Sequence, residues 1–166
     1  ELKKQLFLRP SMTVQGIHAG YTGEGAKTVL PGEAFCKIDI RTVMGQKPER
    51  VLQLVREHLD NHGFGDIELI AGHSMLPFRG SPENPLAKAV IENVEDVYGM
   101  KPAIHPNMAG SNGMGFLCNL TGTPAVCYGV FDDDSHCHAP NEYIFLEDFF
   151  NGIKLSAAVL HDFAEV

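Results

Sequence analysis

The chain of 166 residues is 44% apolar and 20% charged, with a formal net charge of −8; this allows one or two small cores and offers no footprint for nucleic acid or an anionic membrane. No stretch nears the roughly 18 unbroken apolar residues of a membrane span. The cysteines Cys36, Cys118, Cys127 and Cys137 show no CxxC spacing and no disulfide density, so reduced thiols in a cytoplasmic protein are expected.

Residues 11–17, SMTVQGI, read as a strand, followed by a glycine-rich stretch, HAGYTGEGAKTVLPGE. The segment AFCKIDIRTV alternates, with Cys36, Ile38 and Ile40 on one face and Lys37, Asp39 and Arg41 on the other, as in a half-buried antiparallel strand. Pro48 suits a first helical turn, and Val51, Val55 and Leu59 recur at helical spacing up to a Gly63 cap. DIELIA returns to period two. The first half therefore reads β-β-α-β.

Residues 73–85, HSMLPFRGSPENP, are a Pro/Gly/Ser-rich joint, and a domain boundary is expected there. NPLAKAVIENVEDVYG follows as a helix with Leu86, Val90, Val94 and Val97 on one stripe and Gly99 at its stop. KPAIHP is a short strand, GSNGMGFLCNL a turn entering a short helix, and TPAVCYGV a run apolar enough for a buried parallel strand. The tail is an amphipathic helix with Phe149, Ile153, Ala157 and Leu160 expected to face inward. The second half reads α-β-α-β-α, part of an α/β layer structure.

Three motifs compete for function. GYTGEGAKT nearly spells a phosphate loop, but Ala26 stands where the lysine belongs, and Pro31 with strand-type residues follows instead of a helix. A connection between two strands is the plainer role. AGSNG, residues 109–113, resembles a loosened nucleophile elbow around Ser111, with Asp132, Asp133 or Asp134 and then His136 or His138 downstream. Pro106 interrupts the strand that should aim the serine, and the triad would crowd into about thirty residues, against the wide spread usual in that fold. A Gly-Ser turn opening a helix, with backbone N–H groups able to hold a carboxylate, is simpler. The sequon at Asn119 carries little weight without secretory evidence.

The third motif is DSHCHAPNEY, residues 134–143. It stands beyond the end of an expected strand, where open α/β sheets bind ligands. Its histidines suit a metal site, half of an acid–base pair, or a solvated polar loop. Residue chemistry alone leaves these open.

HAPNEYIFLEDFFNGIK, residues 138–154, resembles the C-terminal signature of the zinc-dependent M20 metallopeptidases, which include aminoacylases, acetylornithine deacetylase, succinyl-diaminopimelate desuccinylase and carnosinase-like dipeptidases. GIHAGYTGEGAKTVLPGEAFCKIDIRTVMGQKPERV is similar to the second half of that family's lid, and SPENPLAKAVIENVEDVYGMKPAI and AGSNGMGFLCNLTGTPAVCYGV resemble its return to the catalytic domain.

The resemblance implies a fold in the α/β class: residues 1–74 as the C-terminal half of an α+β, ferredoxin-like lid or dimerisation domain, and 75–166 as the C-terminal part of a zinc-exopeptidase catalytic domain. It implies that His138 is a ligand to one of two zinc ions, with cobalt or manganese as substitutes. Arg41 would hold a substrate carboxylate across a homodimer interface, where a guanidinium fork fits better than lysine. Gly110 and Ser111 would lie near the same carboxylate end, and Thr28 stands where relatives carry Asn. His136 matches no ligand. The remaining ligands, the lid histidine and the catalytic glutamate would lie in a missing N-terminal part, so no catalytic residue is expected here. The implied reaction is metal-dependent hydrolysis of an amide in a peptide or N-acyl amino acid. A non-catalytic dimerisation module and a serine hydrolase using Ser111 are the alternatives.

Overall fold

The computed structural model describes residues 1–105 and 107–164. Pro106, expected to interrupt a strand, lies outside the described residues. The chain divides into two compact units, one ending at Pro77 and one starting at Phe78.

The first unit contains α1 (Leu2–Leu8), β1 (Ser11–Ala19), β2 (Ala34–Arg41) and α2 (Pro48–Asn61). β1 and β2 form an antiparallel ribbon. Met12 lies opposite Ile40 and Val14 opposite Ile38, but Gly16, not Gln15, meets Lys37. The bulge at Gln15 has a clear purpose. One extra residue reverses the alternation, so Ile17 arrives opposite Cys36 on the same face as Val14 and Met12. Lys37, Asp39 and Arg41 occupy the opposite face, where His18 stacks on Phe35 at 5.2 Å between ring centroids. The expected half-burial of β2 is only partial within the unit: Ile40 is half-buried, but Ile38 is 48% exposed. A two-stranded ribbon has nothing in its own two strands to cover either face.

The glycine-rich stretch is the β1–β2 connection, as expected. Tyr21 organises it, donating its hydroxyl to the Glu24 carbonyl at 2.9 Å while the Lys27 ammonium sits 4.4 Å over its ring. Gly23 leaves room for that ring, since a Cβ there would come within 2.6 Å of the Tyr21 hydroxyl and displace it.

α2 opens at Pro48 and stops before Gly63, whose φ is 82°; Val51, Val55 and Leu59 are its half-buried stripe. The strand expected at DIELIA does not form. Instead Arg56 reaches from α2 to the carbonyls of Phe64 and Ile67, at 2.9 and 2.6 Å, and holds that segment by side-chain bonds. Alternation alone makes no strand; a ladder partner must be present. α1 is not among the elements the sequence pattern predicts, since its seven residues bury no side chain and give a weak periodic signal.

The second unit contains α3 (Pro85–Tyr98), α4 (Met114–Thr121) and α5 (Leu146–Phe163). α3 is well punctuated. The Asn84 carboxamide oxygen accepts from the Ala87 amide at 2.8 Å, Pro85 takes the first turn, and Gly99 ends it at φ 66°. α3 packs on α5 through Val90, Leu155 and Val159, with Leu86, Val94, Val97, Tyr98 and Val126 around them.

The inward face of α5 differs from expectation. Gly152, Leu155, Ser156 and Val159 turn in, whereas Phe149, Ile153 and Leu160 are 44%, 52% and 73% exposed within the unit. α5 carries apolar residues on more than one face, so period alone could not choose between them. Close approach decided it: a Cβ on Gly152 would lie 2.5 Å from Val130 Cγ1. Tyr128 donates to the Ser156 hydroxyl at 3.3 Å, so residues 126–130 lie along α5. The strands expected at KPAIHP and TPAVCYGV are also absent among the described residues. Residues 79–80 meet the chain near both: Gly80 approaches the Ala125 carbonyl, and Arg79 donates to the Asn107 side-chain oxygen at 3.0 Å.

Asn93, missed by the apolar stripe, is buried between the two helices. Its amide donates to the Ala89 carbonyl at 2.9 Å and to the Asp162 carboxylate at 2.7 Å. That bond, followed by one from His161, holds the Asp162 carboxyl below the usual carboxylate range.

In the 166-residue chain, Leu155→Ala should cost about 2–5 kcal/mol in urea unfolding, and Ile153→Ala less than about 1 kcal/mol; the reverse order would put the wrong face of α5 inward. Because Asp162 is depressed in the folded state, its contribution is present above its unfolded-state pKa and is lost as pH falls through the folded value. The difference in Tm between wild type and Asn93→Ala should therefore be widest near neutrality, about 2–4 °C, and narrow on acidification. A gap independent of pH would show that Asp162 is not Asn93's working partner.

Candidate functional site

The segment 126–130 hands the chain into a loop, residues 131–145, that returns it to the start of α5. Ser135 is its hub and is only 1% exposed. Its hydroxyl accepts from the Asp132 amide and donates to the Asp132 carboxylate, both at 3.0 Å. The same carboxylate oxygen accepts from the Asp134 amide at 2.9 Å. The Ser135 backbone is also engaged: its N–H donates to the Asp132 carbonyl at 3.3 Å, and its carbonyl accepts from the Tyr143 amide at 3.2 Å. That last bond pinches residues 136–142 into a closed excursion.

Within it, His136, His138 and Asn141 have φ values of 54°, 64° and 62°, and they are the only non-glycine residues with positive φ among the described residues. The left-handed region is uncommon for side chains with a Cβ. An Ala139 amide bond to the His136 carbonyl at 2.8 Å tightens the turn. His136, though exposed, lies edge-on to the Tyr143 ring at 5.8 Å. The exposed His138 ring takes part in no hydrogen bond, ion pair or ring contact among the described residues. His73, in the first unit, shares that condition.

An open cavity of about 140 Å³ lies beside the loop's start, lined by Tyr98, Gly129, Val130, Phe131, Asp132 and Asp148. Burial, and then the nearby Asp148 carboxylate, push the Tyr98 hydroxyl pKa up.

Gly110 and Ser111 stand on the exposed turn before α4. The residue that ties this turn to the helix is Asn112, whose side-chain oxygen accepts from the Met114 amide at 3.0 Å. In the first unit, Arg41 closes β2 and forms an exposed ion pair with Asp39, Nε to Oδ2 at 2.6 Å. Thr28 lies exposed in the β1–β2 connection. The structure thus presents His138, Gly110 and Ser111 in one unit and Arg41 and Thr28 in the other.

No group of three metal-donor side chains occurs among the described residues. An exposed imidazole with both nitrogens uncommitted fits as one metal ligand, but a protein zinc site needs three or more, so these residues cannot hold an ion alone. The buried hub of the loop, Ser135, is not singled out by the sequence reading. Its signal in the sequence is an Asp-x-x-Ser spacing that supports a side-chain turn.

Comparison with known proteins completes the description. Residues 1–66 match the M20 peptidase dimerisation domain. The chain is 28% identical, over 95% of its length, to a Cys-Gly metallodipeptidase of Schizosaccharomyces pombe, and 24% identical, over 95%, to a Beta-Ala-His dipeptidase of Mus musculus. Among solved structures, it superposes with TM-score 0.89 on an M20 family metallo-carboxypeptidase from Sulfolobus solfataricus, at 35% identity over 98% of this chain and 38% of that one. A di-peptidase from Saccharomyces cerevisiae gives TM-score 0.81 at 26% identity, over 99% of this chain and 36% of that one. The chain belongs to the M20 metallopeptidase family. It spans about a third of the length of the curated relatives it matches.

Proposed function

We propose that these residues form part of an M20-type metal-dependent hydrolase that cleaves an amide bond in a peptide, or in an N-acyl amino acid, next to a free carboxylate. The observation that carries this reading is the likeness, along nearly the whole chain, to M20 metallopeptidases of known structure. His138 supplies one metal bond. The other ligands and the catalytic glutamate lie outside these 166 residues, in keeping with the third of the relatives' length that the chain spans. The bound metal, zinc in this reading with cobalt or manganese as substitutes, supplies Lewis acidity and an activated water. The 166 residues alone are inactive.

The remaining roles belong to substrate. Arg41 receives the substrate carboxylate, with Asp39 beside it orienting the guanidinium on the polar face of β2. An exposed ion pair is weak and yields readily to a better partner. Gly110 and Ser111 offer the backbone and hydroxyl of their turn to the same end of the substrate, and Thr28 lines the approach from the β1–β2 connection. The first unit mediates a homodimer, a reading that the dimerisation-domain match over residues 1–66 supports, and we take the four free thiols as those of a cytoplasmic protein. The metallopeptidase names of the relatives favour this mechanism over a serine hydrolase built on Ser111 and over a non-catalytic module.

In the full-length protein, His138→Ala should remove most zinc and reduce kcat by at least about 100-fold, the scale of outer-ligand losses or greater. Unchanged zinc stoichiometry by elemental analysis would remove His138 from the site. Arg41→Lys should raise KM about tenfold or more, through loss of the bidentate fork, while zinc content stays at the wild-type level. Unaltered steady-state kinetics would place Arg41 away from the substrate.

A further inference from the structure

We propose that Ser135 is a positioning residue which, through Asp132, holds the 131–143 loop in the strained shape that presents His138. The inference rests on the reading of His138 as a metal ligand and goes one step deeper, to what fixes that ligand.

The physical problem is the backbone. Three left-handed non-glycine residues within six positions are unfavourable, and such residues persist only where the surroundings over-determine them. Histidine and asparagine tolerate this region better than most side chains, but none of the three makes a side-chain hydrogen bond that would hold it there. The compensation comes from the excursion's two ends. Tyr143 is bonded to the Ser135 carbonyl, so the ring of residues cannot open without losing that bond. Ser135 in turn cannot shift, because its N–H, carbonyl and hydroxyl are all engaged and its side chain is buried. Asp132 anchors the network by accepting from both the Ser135 hydroxyl and the Asp134 amide.

The carboxylate of Asp132 is thus spent on folding the loop. An alanine at 135 would leave the Asp132 amide without its acceptor and the carboxylate without one of its donors. The loop would then relax towards ordinary φ values, and His138 would leave its place. His136 does not substitute, because its ring is already packed against Tyr143.

The test uses the full-length enzyme, with zinc alone as the probe and thermal melting and steady-state kinetics alongside. Ser135→Ala should raise the apparent zinc dissociation constant about tenfold and lower kcat with little change in KM. Asp132→Ala, a change at an exposed side chain, should do the same, and the double variant should be no worse than either single one. Asp132→Asn keeps an acceptor oxygen and should remain near wild type. A purely structural role would lower Tm while leaving zinc affinity and kcat intact, and that result in both alanine variants overturns the proposal. So does additive damage in the double variant. His138→Ala separates the two levels: if it loses zinc while the Ser135 and Asp132 variants keep it, the positioning role alone fails. If His138→Ala itself keeps zinc, the reading of His138 fails and this inference falls with it.

Discussion

The close approach of Gly152 to Val130 governs the second unit. Without a side chain at 152, α5 can lie directly on the 126–130 segment, and Tyr128 reaches Ser156 from there. Leu155 and Val159, on the same face, then meet Val90 of α3. The loop at 131–145 starts where that segment ends and finishes where α5 begins. Both of its anchors are therefore set by one helix. Packing at small residues is intolerant of change, since interiors transmit displacement instead of absorbing it.

The positive-φ residues of this loop all fall within the excursion closed by the Ser135–Tyr143 bond. The chain must reverse within a few residues while keeping an imidazole exposed and uncommitted. Glycine would adopt positive φ without cost, yet the loop places two histidines and an asparagine there. Side-chain identity was retained at the expense of backbone comfort, which is the pattern expected where a side chain does chemical work. The buried serine and its aspartate partner hold the conformation that this choice requires.

The first unit follows a different logic. Its ribbon is shaped by one inserted residue, Gln15, which keeps the apolar side chains of β1 together on one face and leaves Lys37, Asp39 and Arg41 on the other. An arginine at the end of such a strand is held by its neighbour Asp39 and by strand geometry. That suits recognition of a small anion, because the guanidinium is already oriented before a ligand arrives.

The sequence by itself determined the helices and their punctuation. Pro48 with Gly63, and Asn84 with Pro85 and Gly99, act through local backbone preferences that need no distant partner. It also determined the family, because the motif around His138 and the alternation through Arg41 are strings of residues in order. Three matters were decided only in the tertiary structure. DIELIA, KPAIHP and TPAVCYGV have strand patterns but no ladder among the described residues, since a strand exists only in its pairing. The inward face of α5 was chosen by a glycine's clearance, which no hydrophobic period encodes. The role of Ser135 depends on burial and on bonds to Asp132 and Tyr143, and a lone serine in a polar loop looks the same in sequence whether it is buried at a hub or loose in water.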